Sequence, residues 1–190
     1  MDCAIKMGGH GPSPFNSEYM PMEQFTILEE TLKPLADAGK ILGMHGGNHE
    51  RWITELTGID IINLLCRSLK VPYLGEGCDT NIQVNNTKYT IYSQHGASSA
   101  KLKHTKMGAL INATRDIYAD IYLMGHMHQI GAIKGGKRIA GTTKKTYFVL
   151  TGHFLEWESS YAQLFSLEPC PQGCPQIKLF SNRRDIHVSI

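Results

Sequence analysis

Ile121-Tyr122-Leu123-Met124-Gly125-His126-Met127-His128 reads as a short buried strand that runs into a turn carrying two histidines. Four apolar residues in a row suit a strand covered on both faces, and the glycine lets the backbone bend sharply where the strand ends. His-x-His puts both imidazoles on one face wherever the chain stays extended. The same arrangement recurs twice upstream. Lys88 to Ser93 is extended and leads into Gln94-His95-Gly96, and the apolar run Lys40 to His45 leads into Gly47-Asn48-His49-Glu50. Three polar clusters, each at the exit of an apolar strand, converge along one edge of a sheet, where ligand sites of α/β proteins gather.

Taken singly, each cluster is ordinary. A histidine after a strand is more often a hydrogen-bonded loop residue than a ligand, and glycine beside histidine is frequent in loops. The conjunction of three, in this order, points instead to a metal centre. Imidazole suits zinc, iron, nickel or manganese, and an amide oxygen suits the harder of these ions.

Outward from these clusters the chain alternates helical and extended segments. Residues 8 to 21, rich in glycine and proline, form a loop or lid. A helix follows from about Met22, with Phe25, Leu28, Leu32 and Leu35 at three- and four-residue steps, a kink or early end at Pro34, and a stop at Gly39. Ile59 to Leu69 is a second helix. Asn81 to Val84 and Lys88 to Ser93 pair as a hairpin around Asn85-Asn86. Ser98 to Arg115 is a capped helix interrupted by Gly108. Extended pieces follow at Ile130 to Ile133, Tyr147 to Leu150, Tyr161 to Phe165, Ile177 to Phe180 and Ile186 to Ile190. The expectation is a single α/β domain over residues 1–190 whose later half is mostly β.

Composition narrows the function classes. A formal charge of +2 over 190 residues does not by itself imply a nucleic-acid partner, which needs a clustered basic surface. The densest basic stretch, Lys101 to Lys106, reads as a solvated loop or helix face. No segment approaches the ~20 apolar residues of a spanning helix, and no secretory signal is visible. Five cysteines leave one unpaired in any full disulfide scheme. Cys170 and Cys174 are close enough to share a metal, yet no further ligands stand at zinc-site spacing, so a Pro/Gly turn carrying two thiols is the better reading. A reducing cytoplasmic compartment fits these thiols.

Gly47-Asn48-His49-Glu50, His95-Gly96 and Gly125-His126-Met127-His128 resemble the third, fourth and fifth signature motifs of the calcineurin-like metallophosphoesterase family. The resemblance runs from the start of the chain to the mid-150s. It implies an αββα sandwich with two divalent metals (manganese, iron, zinc or nickel) bridged at one edge. On that pattern Asn48, His95 and His126 match ligands of one metal and His128 a ligand of the other. His49 matches the histidine that protonates or stabilises the leaving oxygen, and Glu50 an acid that orients its neighbours. The implied reaction is hydrolysis of a phosphomonoester or phosphodiester, nucleic acid included, by a metal-bridging hydroxide.

The family pattern opens with Asp-x-His and then Gly-Asp-x-x-Asp, whereas this sequence opens Met1-Asp2-Cys3-Ala4. Asp2 aligns with the last acid of the second motif; an alternative alignment makes it the bridging aspartate. The expectation is a domain lacking its first one or two strands, with one metal site formed and catalysis weakened. The competing reading is a non-catalytic scaffold that binds a partner or a single metal. His153, which follows Tyr147 to Leu150, stands at the rim of the site or is incidental. Arg51 meets a phosphate or a surface carboxylate, Trp52 packs in the core, and His10 belongs to the Gly/Pro loop. Substrate, metal identity and oligomeric state stay open.

Overall fold

The structure, a computed structural model, describes residues 19–155 and 168–190. Asp2, His10 and the extended piece expected at Tyr161 to Phe165 lie outside the described residues. The chain divides into two compact units, one up to Gly77 and one from Cys78 to Ile190.

The first unit is helical. α1 spans Pro21–Asp37, α2 Asn48–Thr57 and α3 Ile61–Leu69. α1 starts at a proline, whose missing N–H costs nothing in a first turn, and Glu23 accepts the Met20 N–H at 2.7 Å. It continues one turn beyond Pro34, since that residue lies so near the end that little of the helix depends on it. Asp60 caps α3 by accepting the Asn63 N–H at 2.9 Å. Phe25, Leu32, Ile53, Ile62, Leu65, Cys66 and Leu69 form the core of this unit.

Lys40 to His45, expected as a strand, is reduced to one isolated parallel bridge between Met44 and Tyr73. The Met44 N–H donates to the Pro72 carbonyl at 3.0 Å and the Leu74 N–H to Met44 at 2.9 Å. Pro72 itself has no N–H with which to extend the ladder. α2 was not anticipated. It grows from the Gly-Asn-His-Glu motif and ends at Gly58, whose left-handed φ of 73° allows its N–H to reach Thr54.

The second unit is a layered α/β structure. β1 (Gly77–Val84) and β2 (Thr87–Gln94) form the hairpin around Asn85-Asn86, with Asn85 at φ 51°. α4 (Lys103–Ala113), β3 (Ile121–Met124), β4 (Ile130–Ile139), β5 (Thr142–Thr151), β6 (Gln176–Leu179) and β7 (Ile186–Ser189) follow. Five strands form a mixed sheet in the order β1-β2-β3-β5-β4, and β6 and β7 form a second sheet. β2, β3 and β5 are parallel, whereas β4 and β5 are an antiparallel hairpin.

Period-two alternation builds the layers. Tyr122, Met124, Phe148 and Leu150 share a buried cluster with Met107 and Leu110 of α4. Ile91, Ile121 and Val149 form another cluster, packed by Ile177, Leu179, Ile186 and Val188 of the second sheet. Two locks hold the far end. The buried Tyr89 hydroxyl lies 2.7 Å from the Phe180 carbonyl and 2.9 Å from that of Asp185. Arg184 donates to both oxygens of the buried Asp120 carboxylate at 2.8 Å.

α4 begins five residues later than Ser98. The Ser98 hydroxyl instead accepts the Ala100 N–H at 3.1 Å, a local turn that competes with helix. Among the described residues no helix is long and apolar enough to cross a membrane.

Candidate metal centre

Register brings the histidines of the second unit together. Gln94, Met124 and Leu150 pair in line across β2, β3 and β5, so these parallel strands end level. His95 stands one residue beyond that line, His126 and His128 two and four beyond it, and His153 three beyond it. The rings of His95 and His126 lie 5.1 Å apart, centre to centre, at 65°. Those of His128 and His153 lie 5.7 Å apart. His153, which sequence left undecided, therefore stands beside His128.

The local backbone is shaped for this crowding. His126 and His128 both adopt left-handed conformations, with φ of 64° and 47°. Met127 between them is buried in the α4 cluster and anchors the turn, while its N–H closes onto the Gly125 carbonyl at 2.7 Å. A Cβ on Gly125 would sit 3.3 Å from the His95 carbonyl oxygen, so glycine there lets the β2 and β3 turns lie close. Gly96, at φ 92°, leaves no room for a Cβ beside the Met124 side chain.

His153 is pinned from two sides. Its carbonyl accepts the Gly173 N–H at 2.7 Å, and its Nδ1 accepts the Leu155 N–H at 3.2 Å. Burial lowers its pKa, the charge of His128 lowers it further, and backbone hydrogen bonds with Leu155 and Cys170 oppose the shift. The neutral ring is the form that binds metal.

Donor type and spacing fit a borderline divalent cation. Two imidazoles bound to one tetrahedral ion at ~2.0–2.1 Å put their ring centres about 5 Å apart, close to what each pair shows. Among the described residues, no group of three or more His, Cys, Asp or Glu side chains closes on one point, so the donors stand as two pairs.

The first unit carries the remaining motif. Gly47 precedes α2, and Asn48, His49 and Glu50 form its first turn. Glu50 is buried, at 3% exposure. Trp52, expected in the core, lies instead with its ring edge-on to His49 at 4.9 Å, as their three-residue spacing on a helix permits. Arg51 is exposed and pairs with Glu55 at 3.1 Å and Glu76 at 3.4 Å.

Sequence reading missed Lys106. The rest of the Lys101–Lys106 stretch is exposed, as expected, but Lys106 is 5% exposed. The signal was present: Lys106, Met107, Leu110 and Thr114 recur with helical period, and all four are buried. A separate cavity of about 570 Å³, lined by Arg115, Tyr118, Lys137 and Arg138 among others, lies toward the opposite end of β3.

No protein-family model matches the sequence, and no curated protein matches it. Solved structures offer loose likenesses. Vps29 of Entamoeba histolytica complexed with Zn2+ is 19% identical with a TM-score of 0.34, covering 75% of this chain and 69% of that one. A single mutant of the same Vps29 is also 19% identical, with a TM-score of 0.37 and coverage of 91% and 81%. Protein TM1076 of Thermotoga maritima is 16% identical, with a TM-score of 0.33 and coverage of 83% and 86%. No residue role passes from these proteins to this chain.

Proposed function

We propose that the histidine edge of the second unit holds divalent metal, and that the chain is a phosphoester hydrolase of the calcineurin-like metallophosphoesterase type. The observation that supports this best is four imidazoles at the level ends of three adjacent parallel strands, two of them on left-handed backbone. His95 and His126 would hold one ion, and His128 with His153 another. A bound ion would supply Lewis acidity toward a phosphoryl group and toward water.

The chain itself does the rest. Burial lowers the His153 pKa, which favours the neutral ring, and the Gly173 and Leu155 backbone bonds fix its orientation. Met127, buried between the two turn histidines, anchors their turn. In the first unit, by the resemblance of its sequence motif, Asn48 offers an amide oxygen, His49 an imidazole donor and Glu50 a carboxylate within one turn of α2.

Metal content after loading with manganese or zinc, followed by calorimetric titration of the metal-free chain, tests the site. Turnover of bis(p-nitrophenyl) phosphate tests the reaction. The native chain should bind at least one ion, and His126→Ala should weaken binding at least tenfold with the fold intact by circular dichroism. A folded native chain that takes up no metal would overturn the proposal. Metal binding without turnover would retire the hydrolase and leave a metal-binding scaffold.

A further inference from the structure

Between Ile130 and Thr151 the chain carries Lys134, Lys137, Arg138, Lys144 and Lys145 and no Asp or Glu, so five of the 19 lysines and arginines fall in one hairpin. All but Lys137 are exposed, and among the described residues none of the five forms an ion pair. The Lys137 ammonium is spent on the Thr114 and Arg115 carbonyls, at 2.6 and 3.1 Å. Those of Lys134 and Lys144 stand over the rings of Tyr147 and Tyr118, 5.8 and 5.3 Å from the ring centres. The formal charge of +2 conceals this surface, because the balancing carboxylates lie elsewhere in the chain.

Register arranges the cations. Lys134 pairs with Tyr147, Gly136 with Lys145 and Arg138 with Thr143. Residues two apart on a strand share a face, so Lys134, Arg138 and Lys145 surround the bare Gly136 as diagonal neighbours, ~7–8 Å apart. Lys144 and Lys145 also line a cleft of about 300 Å³ with Tyr147, Arg184, Asp120 and Asp185. Its carboxylates are already matched, Asp120 by Arg184 at 2.8 Å and Asp185 by Arg183 at 3.3 Å, so the lysines set its sign. β4 is the edge of the five-stranded sheet, and lysine on an edge deters pairing with other chains. That protection does not account for Lys144 and Lys145, which lie on β5, between β4 and β3. Nor does it account for Lys137 directly opposite Lys144, a like-charge pair that costs stability.

We propose that the β4–β5 hairpin is a docking ribbon for duplex DNA, with its cations on the phosphates and its tip in the major groove. Cations of one sign along two strands match a polyanion of regular charge spacing. The major groove admits a two-stranded ribbon, and the tip, Ala140-Gly141-Thr142, is small and uncharged. β5 is ten residues long at ~3.3 Å each, which sets the tip ~30 Å from the histidine edge. Docking there is independent of the metal centre.

A fluorescent DNA duplex of two helical turns and mixed sequence is the probe, titrated by anisotropy in EDTA so that no metal takes part. Four exposed cations on phosphates give a slope of about −3.6 in log K against log salt, hence about 100-fold weaker binding at about 200 than at about 50 mM salt. Lys144→Gln/Lys145→Gln should reduce that slope by about 2, with circular dichroism unchanged. Lys40→Gln/Lys88→Gln, which removes the same charge elsewhere, should leave it as it is. In the native chain the amide signals of residues 134–145 should shift and saturate with duplex. No binding at the lower salt, or equal losses in the two double variants, would overturn the assignment. Capture of phosphatidylserine vesicles through Lys144 and Lys145, with the duplex ignored, would overturn it in favour of a membrane surface. An RNA duplex, whose major groove is closed to a ribbon, should bind at least tenfold more weakly, and equal binding would overturn groove entry.

Discussion

Gly152 and Gly141 share a φ of 81°, yet their surroundings differ, which makes Gly→Ala at the two positions a matched pair. At Gly141 an added Cβ meets nothing within 4 Å. The substitution there costs the left-handed backbone of alanine, ~1–2 kcal/mol, less ~0.4–1 kcal/mol from the narrower unfolded ensemble. At Gly152 the Cβ runs into the Gly173 carbonyl and lies 2.7 Å from Cγ1 of Ile130. Overpacking of that kind adds ~1–3 kcal/mol. Parting the two strands also weakens the Gly173 N–H bond to the His153 carbonyl, for about 1 kcal/mol. Gly152→Ala should therefore be less stable than Gly141→Ala by about 2–4 kcal/mol, which for a chain this size is a Tm gap of roughly 5–10 °C. Urea unfolding, with amide exchange in β3 and β5 so that the second unit reports for itself, measures the difference. Equal stabilities, within about 0.5 kcal/mol, would refute the view that Gly152 is required by contact and not by φ alone.

Two further outcomes follow from groups in the first unit. Burial lowers the pKa of His45 below its ordinary 6.5, against the hydrogen bond its Nδ1–H gives to the Gly75 carbonyl at 2.9 Å. The unfolded chain then binds more protons than the folded one, so the contribution of His45 is full above 6.5 and is lost as pH falls from that value toward the folded pKa. His45→Gln should flatten that acid limb of the urea midpoint against pH, and an unchanged limb would exclude His45 as its source. Burial also pushes the Cys66 thiol up to about 11, with Asp60 adding to the shift. Thiolate is the reactive form. A disulfide reagent at pH 8 should therefore modify exposed Cys174 and spare Cys66 until urea unfolds the chain, as read by peptide mass spectrometry. Rapid native labelling of Cys66 would contradict that burial.

The central strands were legible because parallel strands buried on both faces must be apolar throughout, and Ile121 to Met124 could hardly be anything else. The Asn85-Asn86 hairpin was legible from residues that tolerate positive φ. Other elements depended on partners that no local pattern reveals. Lys40 to His45 has strand-like composition, but the segment it meets contains Pro72, which supplies a carbonyl and no donor. Ser98 has the chemistry of a helix cap and uses it on Ala100 instead. The β4–β5 hairpin was read only in part, since its turn, Ala140-Gly141, and the lysine-rich strand ends beside it have no strong β signature. At the candidate site the histidines were visible singly. The pairing of His128 with His153 was not, because it needs the register that sets β3 level with β5.

That register also explains why the Gly-His-Met-His turn takes the shape it does. An extended His-x-His would project both rings to one side, as period-two geometry requires. Here the chain is not extended: both histidines sit at left-handed φ, a conformation that histidine adopts more readily than most residues but still seldom. Such a backbone persists only where its surroundings over-determine it. Met127 is the determinant, because its side chain is 4% exposed within the α4 cluster and can be there only if the chain doubles back on each side of it. The turn thereby sends His126 toward His95 of β2 and His128 toward His153 of β5, one ring to each neighbouring strand. A flat strand end would give one pair of histidines. A methionine anchored between two left-handed residues gives two pairs, and two pairs are what a site for more than one cation would need.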